Sequence, residues 1–258
     1  MNADISSNQS SAGTPALFVA PPARELRELT VGGITPFTSI DFPGRLAAVV
    51  YTQGCAWRCR YCHNAHLRPF RSDTVIPFSK VLKFLKNRKG LLDGVVFCGG
   101  EPTAQPELPA AMREIKALGF QVALHTAGMY PDRLREALAL CDWVGMDVKA
   151  PFHAYEKITQ VTNSGEVVKQ SLRLLLESGV DHEIRTTVHS ALLSKAQLLE
   201  MAGELSGLGV QNYALQIFQA RGCLDEELNG SSVLGEASLD DLEQLLSPFF
   251  NSFKIRNN

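Results

Sequence analysis

The 258-residue sequence has no apolar run approaching the ~18 residues that cross a bilayer, so no membrane-spanning helix is expected. It has no surplus of either charge: 25 Lys and Arg stand against 27 Asp and Glu, a formal net of −2. Without a basic surplus, dedicated binding to a nucleic acid is not expected. It has no basic segment at its start. Met1-Asn2-Ala3-Asp4 opens the chain, and the apolar patch Ala16 to Ala20 is too short for a secretory core and runs into Pro21-Pro22. A cytoplasmic location is the default expectation, and in a reducing compartment the six cysteines read as thiols or metal ligands rather than disulfides. Nor is the composition that of a disordered chain, with 45% hydrophobic and 20% charged residues. A chain of this length buries roughly 70–75% of its unfolded surface and needs no covalent staples.

Residues 1–28 are rich in Ser, Asn, Ala and Pro and read as a disordered extension, leaving one domain over 29–258. Beyond them, short apolar runs alternate with helical patterns. The strand candidates are Leu46 to Gln53, Gly94 to Cys98, Phe120 to Thr126, Trp143 to Val148, Glu183 to His189 and Tyr213 to Phe218. Several are nearly continuous apolar runs, as in parallel strands covered on both faces. Between them lie helical repeats marked by Val81 and Leu85, Met112 and Ile115, Leu134 and Leu138, Val168 and Leu172, and Leu198 and Met201. Asn163-x-x-Glu166 and Ser194-x-x-Gln197 read as capping boxes, and Gly119 and Gly179 as helix stops. Six successive β-α units predict a parallel sheet. A complete eight-unit barrel takes ~250 ordered residues, so six units predict an incomplete, open α/β barrel, with a doubly wound sheet as the alternative. After the last strand there is room for one helix, near Leu239 to Leu246, and little else.

Three of the six cysteines are clustered in Gly54-Cys55-Ala56-Trp57-Arg58-Cys59-Arg60-Tyr61-Cys62-His63-Asn64, directly after the first strand candidate. Parallel α/β folds bind ligands at that end of their strands. Three thiolates can hold three corners of an iron–sulfur cube and leave one iron open for chemistry. The alternative is structural zinc, with His63 or His66 as fourth ligand. Cys98, Cys141 and Cys223 form no second compact set, so no auxiliary cluster is expected and they read as packing residues.

The C-x3-C-x2-C spacing of Cys55, Cys59 and Cys62, with Tyr61 before the last cysteine, resembles the signature of the radical S-adenosylmethionine (SAM) enzymes. The resemblance implies a barrel of the radical SAM type, an incomplete (β/α)6. It also implies a [4Fe-4S] cluster on the three cysteines, with SAM chelated to the open iron. An electron from the cluster then cleaves SAM to a 5′-deoxyadenosyl radical, which abstracts hydrogen from a substrate. Further elements at successive strand ends are similar to those of the same family. Gly99-Gly100-Glu101-Pro102 resembles the GGEP motif, whose backbone meets the amino end of SAM; alone, it could be a tight turn. Thr126 stands where a hydroxyl or carboxylate faces the ribose or a cation, or it caps a turn. Asp147 and Lys149 share one face of their strand and suit a zwitterion. They resemble a D-[LIV]-K element lining the SAM pocket, or they form a local ion pair at the rim.

Arg185, among apolar neighbours, needs a partner: the SAM carboxylate by resemblance, or a core acid. Gln219 stands where some activases carry a SAM-contacting His, and it cannot titrate near neutrality. The segment from Gly33 to Gly44, with T-x-x-D-F-P-G, ahead of the cysteine loop is similar to the activating proteins of anaerobic ribonucleoside-triphosphate reductase. That branch implies a glycyl radical enzyme as partner and a one-electron donor such as flavodoxin or ferredoxin. The remaining alternatives are a radical SAM enzyme acting on a small molecule or peptide, and a zinc-stabilised binding module.

Overall fold

The computed structural model describes residues 28–235 and 237–257. The expected extension over 1–28 falls, apart from Glu28, outside the described residues. An eight-stranded sheet organises the rest. Its strands are β1 (Val31–Thr38), β2 (Ala47–Thr52), β3 (Gly94–Gly99), β4 (Gln121–Thr126), β5 (Trp143–Asp147), β6 (His182–Val188), β7 (Asn212–Ile217) and β8 (Ser252–Arg256). The spatial order is the chain order, β1 through β8. β1 runs antiparallel to β2, and every later pair is parallel. A doubly wound sheet reverses its strand order at a switch point, and this one does not. It is an open barrel wall wound in one direction.

The six expected strands are present within one or two residues. Two more were not expected. β1 carries Gly32, Gly33 and Pro36, and its register slips twice against β2, so it lacks the apolar run of the inner strands. β8 is five residues at the far edge, four of them half-buried and Lys254 exposed, and it corrects the reading of the C-terminal segment as one helix and little else.

Helices cover the outer face: α1 (Phe78–Lys86), α2 (Leu108–Ala117), α3 (Pro131–Leu138), α4 (Glu156–Thr159), α5 (Ser164–Ser178), α6 (Lys195–Gly207), α7 (Glu226–Gly230) and α8 (Leu239–Leu246). Proline at the first position of α3 loses no helical hydrogen bond there. Ser194 and Gln197 form the expected capping box at α6. The box expected at Asn163 does not form. Asn163 is left-handed (φ 60°), and its backbone N–H donates to Glu156 instead. α5 turns Val168, Leu172 and Leu175 onto the sheet, each fully buried and contributing about 1.5–3 kcal/mol. No helix among the described residues is long and apolar enough to cross a membrane.

The inner face has two storeys, set by the alternation of strand side chains. At the strands' N-terminal ends Phe42, Ala47, Val49, Val96, Ala123 and Trp143 pack into an apolar plug. The next positions toward the C-terminal ends are Cys98, His125, Asp147, Arg185, Thr187 and Gln216, which line a cavity. The register aligns this upper storey, with Asp147 beside Arg185, Thr187 beside Gln216, and Gln216 beside Arg256.

Candidate functional site

The cysteine loop leaves the end of β2 and is fastened to its neighbours by backbone bonds. Gly54 N–H donates to Leu67 O (2.8 Å), Cys55 N–H to Arg68 O (2.9 Å), and Arg58 N–H to Thr159 O (3.0 Å). The β3 end is tied to the same loop: Gly100 N–H donates to Thr52 O and Glu101 N–H to Gly54 O, both at 2.9 Å. That approach requires glycine, since a Cβ on Gly100 would collide with the Gly54 carbonyl. Gly99 sits at φ 120°, backbone that L side chains rarely adopt, and a Cβ there would meet the Thr52 backbone. The two glycines thus let two strand ends meet at one place.

Cys55, Cys59, Tyr61, Cys62, Gly99, Gly100, Glu101, Thr126, Asp147, Lys149, Arg185 and Gln219 all line one cavity of about 380 Å3 at the C-terminal ends of the strands. Every site residue expected from the sequence is therefore in one place. All three cysteines of the loop are free and partly buried. Burial pushes the Cys55 thiol up to about 12, with the nearby Glu101 adding to it. Burial likewise raises Cys59, opposed by the Lys149 ammonium. These thiols stay protonated until something displaces the proton, as metal ligation does.

The spacing of the sulfurs bears on the two metal readings. Among the described residues, the three thiols do not all lie within 4.8 Å of one another. Tetrahedral zinc, with bonds of about 2.3 Å, would draw its sulfurs to about 3.8 Å apart. A multi-iron core places each sulfur on its own iron and accepts the wider set. His66 is exposed and does not line the cavity; His63 does, with its ring 5.8 Å from Phe218. The Tyr61 hydroxyl lies buried beside the cysteines with no hydrogen-bond partner. An orphaned donor, three thiols and a glycine cradle in one wall fit an iron–sulfur centre with a polar ligand beside it.

The opposite wall is ionic. Lys149 Nζ lies 3.4 Å from Asp147 Oδ2 and 5.4 Å from the centre of the Tyr61 ring. Arg185 Nη2 lies 3.1 Å from Asp147 Oδ1. Both alternatives left open for these residues are thus realised: the rim ion pair forms, and the partner of Arg185 is Asp147. Burial alone would raise Asp147, but Lys149 and Arg185 together hold its carboxyl below the usual range. Burial works against the Lys149 ammonium, yet Tyr61, Asp147 and Cys59 keep it well above its ordinary value. Two cations against one carboxylate leave this wall net positive, and it faces the cavity. Tyr155 pins the turn that presents it, its hydroxyl accepting from Lys149 N–H at 2.9 Å.

Glu101 and Thr126 have a further task. The Glu101 carboxylate accepts from Thr103 N–H (3.1 Å), Thr103 Oγ1 (2.5 Å), Thr126 Oγ1 (2.7 Å) and Ala127 N–H (2.8 Å). Thr126 Oγ1 in turn accepts from Gly128 N–H at 3.0 Å. The pair staples the β3 end to the β4 end. Burial raises the Glu101 carboxyl, against the pull of these donors.

Sequence reasoning missed other members of the wall. Cys98, read as a packing residue, does pack against the apolar plug and also faces the cavity, on the same side of β3 as Val96. His125 donates from Nε2 to Asp41 O (2.8 Å), and Arg185 Nη1 lies 3.5 Å from both of its ring nitrogens. Burial and the Arg185 charge push its imidazole down to about 3, so it is neutral. Strand alternation would have signalled both residues; Asp41, visible in the sequence only as part of T-x-x-D-F-P-G, and Arg256 arrive from distant edges. Beyond the rim, Arg60 of the cysteine loop is held by Asp225 (2.7 Å) and Glu227 (2.8 Å), and the Cys223 thiol donates to Arg60 O.

Comparison with known proteins agrees with this geometry. The profile of the Radical SAM superfamily matches residues 49–202, more than half the chain. A Methanocaldococcus jannaschii protein, provisionally named a glycyl-radical enzyme activating enzyme, is 28% identical over 235 residues, 88% of this chain and 95% of its own length. The pyruvate formate-lyase-activating enzyme of Streptococcus mutans is 28% identical over 67% of this chain and 70% of its own. Among solved structures, QueE from Escherichia coli superposes with a TM-score of 0.54 at 16% identity, covering 90% of this chain and 95% of QueE. SuiB from Streptococcus suis bound to S-adenosylmethionine gives 0.63 at 14% identity, over 81% of this chain and 50% of SuiB. At such identities the structures speak for the fold alone.

Proposed function

The chain belongs to the radical SAM superfamily, whose members use SAM with an iron–sulfur centre, and from that premise we propose that it is an activase installing a glycyl radical on a partner enzyme. The favoured partner is anaerobic ribonucleoside-triphosphate reductase, from the T-x-x-D-F-P-G segment ahead of the cysteine loop. The observation that carries the reading is the single cavity in which three free thiols face Gly99-Gly100 on one side and Asp147, Lys149 and Arg185 on another. The match to a relative named for this activity, over 95% of that relative's length, supports it.

The geometry supports the following roles. Cys55, Cys59 and Cys62 would hold a [4Fe-4S] cluster. When bound, cluster and SAM supply a carbon-centred radical able to take hydrogen from a glycine Cα. The chain's own residues place that chemistry. Gly99 and Gly100, which let the β3 end seat against the cysteine loop, would present backbone to the amino acid end of SAM. Lys149 and Arg185 offer cationic donors to its carboxylate, and Asp147 accepts from an ammonium or hydroxyl. Thr126 and Gln219 complete the polar rim. Trp57 and Tyr61, both buried, shield the cysteine side from water.

The decisive experiment is anaerobic. The protein is reconstituted with iron and sulfide, supplied with SAM, a one-electron reductant and the reductase, and examined by EPR. A glycyl doublet on the reductase is expected. Turnover of a small molecule without any protein partner, and no doublet with any glycyl radical enzyme, would replace the activase reading with the small-molecule one.

Lys149→Ala tests the cationic wall. The variant is expected to keep its iron content while binding SAM about tenfold or more weakly, because Asp147 loses one of its two cations and the ligand loses a donor. SAM affinity unchanged by equilibrium binding would remove Lys149 from contact with the ligand.

A further inference from the structure

From Phe42 to Ser72 the sequence contains no Asp or Glu and has arginines at 45, 58, 60, 68 and 71. In a chain of net charge −2 this is a local asymmetry that the SAM cavity does not use. Arg60 is accounted for by Asp225 and Glu227. The side chains of Arg58, Arg68 and Arg71 make no hydrogen bond or ion pair among the described residues.

Arg58 and Arg68 border a second cavity, of about 420 Å3, on the outer side of the cysteine loop. Phe70 stands at its edge, 56% exposed, with Ala56 and Pro69 exposed beside it. Cys55 and Trp57 line both this outer groove and the inner cavity, so one cysteine and one indole form the partition between them. Cys59 and Cys62 line the inner cavity and are not among the residues bordering the outer groove.

Resting on the proposed function, which requires one electron per SAM cleaved, we propose that this outer groove is the docking surface for an acidic one-electron carrier protein. The electron leaves the reduced carrier and enters the iron–sulfur centre across Cys55. The carrier is oxidised by one electron, the centre is reduced by one, and no atom or proton moves. Three considerations converge. An electron delivered here need not displace SAM or the substrate protein from the inner cavity. Unpaired arginines attract an acidic partner over a Debye length and orient it. An exposed aromatic among arginines is the composition of an interface core.

The test is direct binding first. Oxidised flavodoxin, an acidic carrier, is titrated against the full-length protein carrying its cluster, and its affinity is measured by calorimetry. Wild-type affinity is expected to fall steeply between about 50 and about 300 mM salt. Arg58→Glu/Arg68→Glu is expected to weaken binding about tenfold or more at low salt and to flatten the salt profile. Turnover then separates the premises. With dithionite, which needs no docking, the double variant is expected to cleave SAM at the wild-type rate, and with reduced flavodoxin about tenfold more slowly. Wild-type binding that is indifferent to salt would overturn the proposal without recourse to any variant. So would a variant that binds flavodoxin as wild type does, or one that loses dithionite-driven cleavage equally. Arg71→Glu, beyond the cysteine loop, repeats the binding measurement where the double variant does not fold. Failure of the wild type to cleave SAM with dithionite would instead overturn the proposed function itself.

Discussion

Cys59→Ala is expected to lose the iron–sulfur centre, its visible absorption and all SAM cleavage, a fall of more than about a hundredfold in activity. The reason lies in the count of ligands. On the proposed function three thiols would hold the centre, and Cys59→Ala leaves two on the loop: Cys98 reaches the cavity from β3, outside the loop, and the Cys223 thiol donates to the Arg60 carbonyl. The fold should survive. Cys59 is packed against the core only in part, and losing one sulfur there costs about 1 kcal/mol or less of stability. Iron content and thermal unfolding would therefore separate, the first collapsing while the second moves by a few degrees. Cys98→Ala and Cys223→Ala are the controls and should retain iron. A Cys59→Ala protein that keeps its iron, beside a Cys98→Ala protein that loses it, would show that the ligand set was misassigned.

The same comparison shows what the sequence makes legible. Several of the six inner strands are written as nearly continuous runs such as LAAVVYT and GVVFC, because both of their faces are covered. The two edge strands have one open side, so β1 tolerates Gly-Gly and Pro36, and β8 shortens to SFKIR. Their pattern is that of a loop, and only pairing reveals them. The site follows the same division. Cysteines three and four residues apart, paired glycines and D-V-K are local patterns, each at the end of a readable strand. The Arg60 to Asp225 contact spans 165 residues, and Asp41 reaches His125 across 84. Such pairings depend on how strand ends converge, which no window of sequence encodes. Glu101 is the intermediate case, visible as part of a motif while its hydrogen-bonding task was hidden in the fold.

That task predicts the largest effect on stability. Glu101→Ala is expected to destabilise the fold by about 2–6 kcal/mol, read from the denaturant midpoint. Four donors converge on this one carboxylate, which is 1% exposed. The hydroxyls of Thr103 and Thr126 can rotate to other acceptors. The N–H groups of Thr103 and Ala127 cannot, and each buried donor left unpaired costs about 1–3 kcal/mol. Glu101→Gln distinguishes acceptor count from mere volume. Its amide keeps one oxygen for the threonines but sets an NH2 group against a backbone N–H, so no rotamer satisfies all four donors. It should fall between wild type and Glu101→Ala in stability. Both variants should also bind SAM more weakly, since the staple fixes the β3 end, where Gly99 and Gly100 meet the cysteine loop. A Glu101→Ala protein within about 1 kcal/mol of wild type would mean that water serves the four donors as well as the carboxylate does. The rigid cradle inferred for the glycine side of the site would then have to be abandoned.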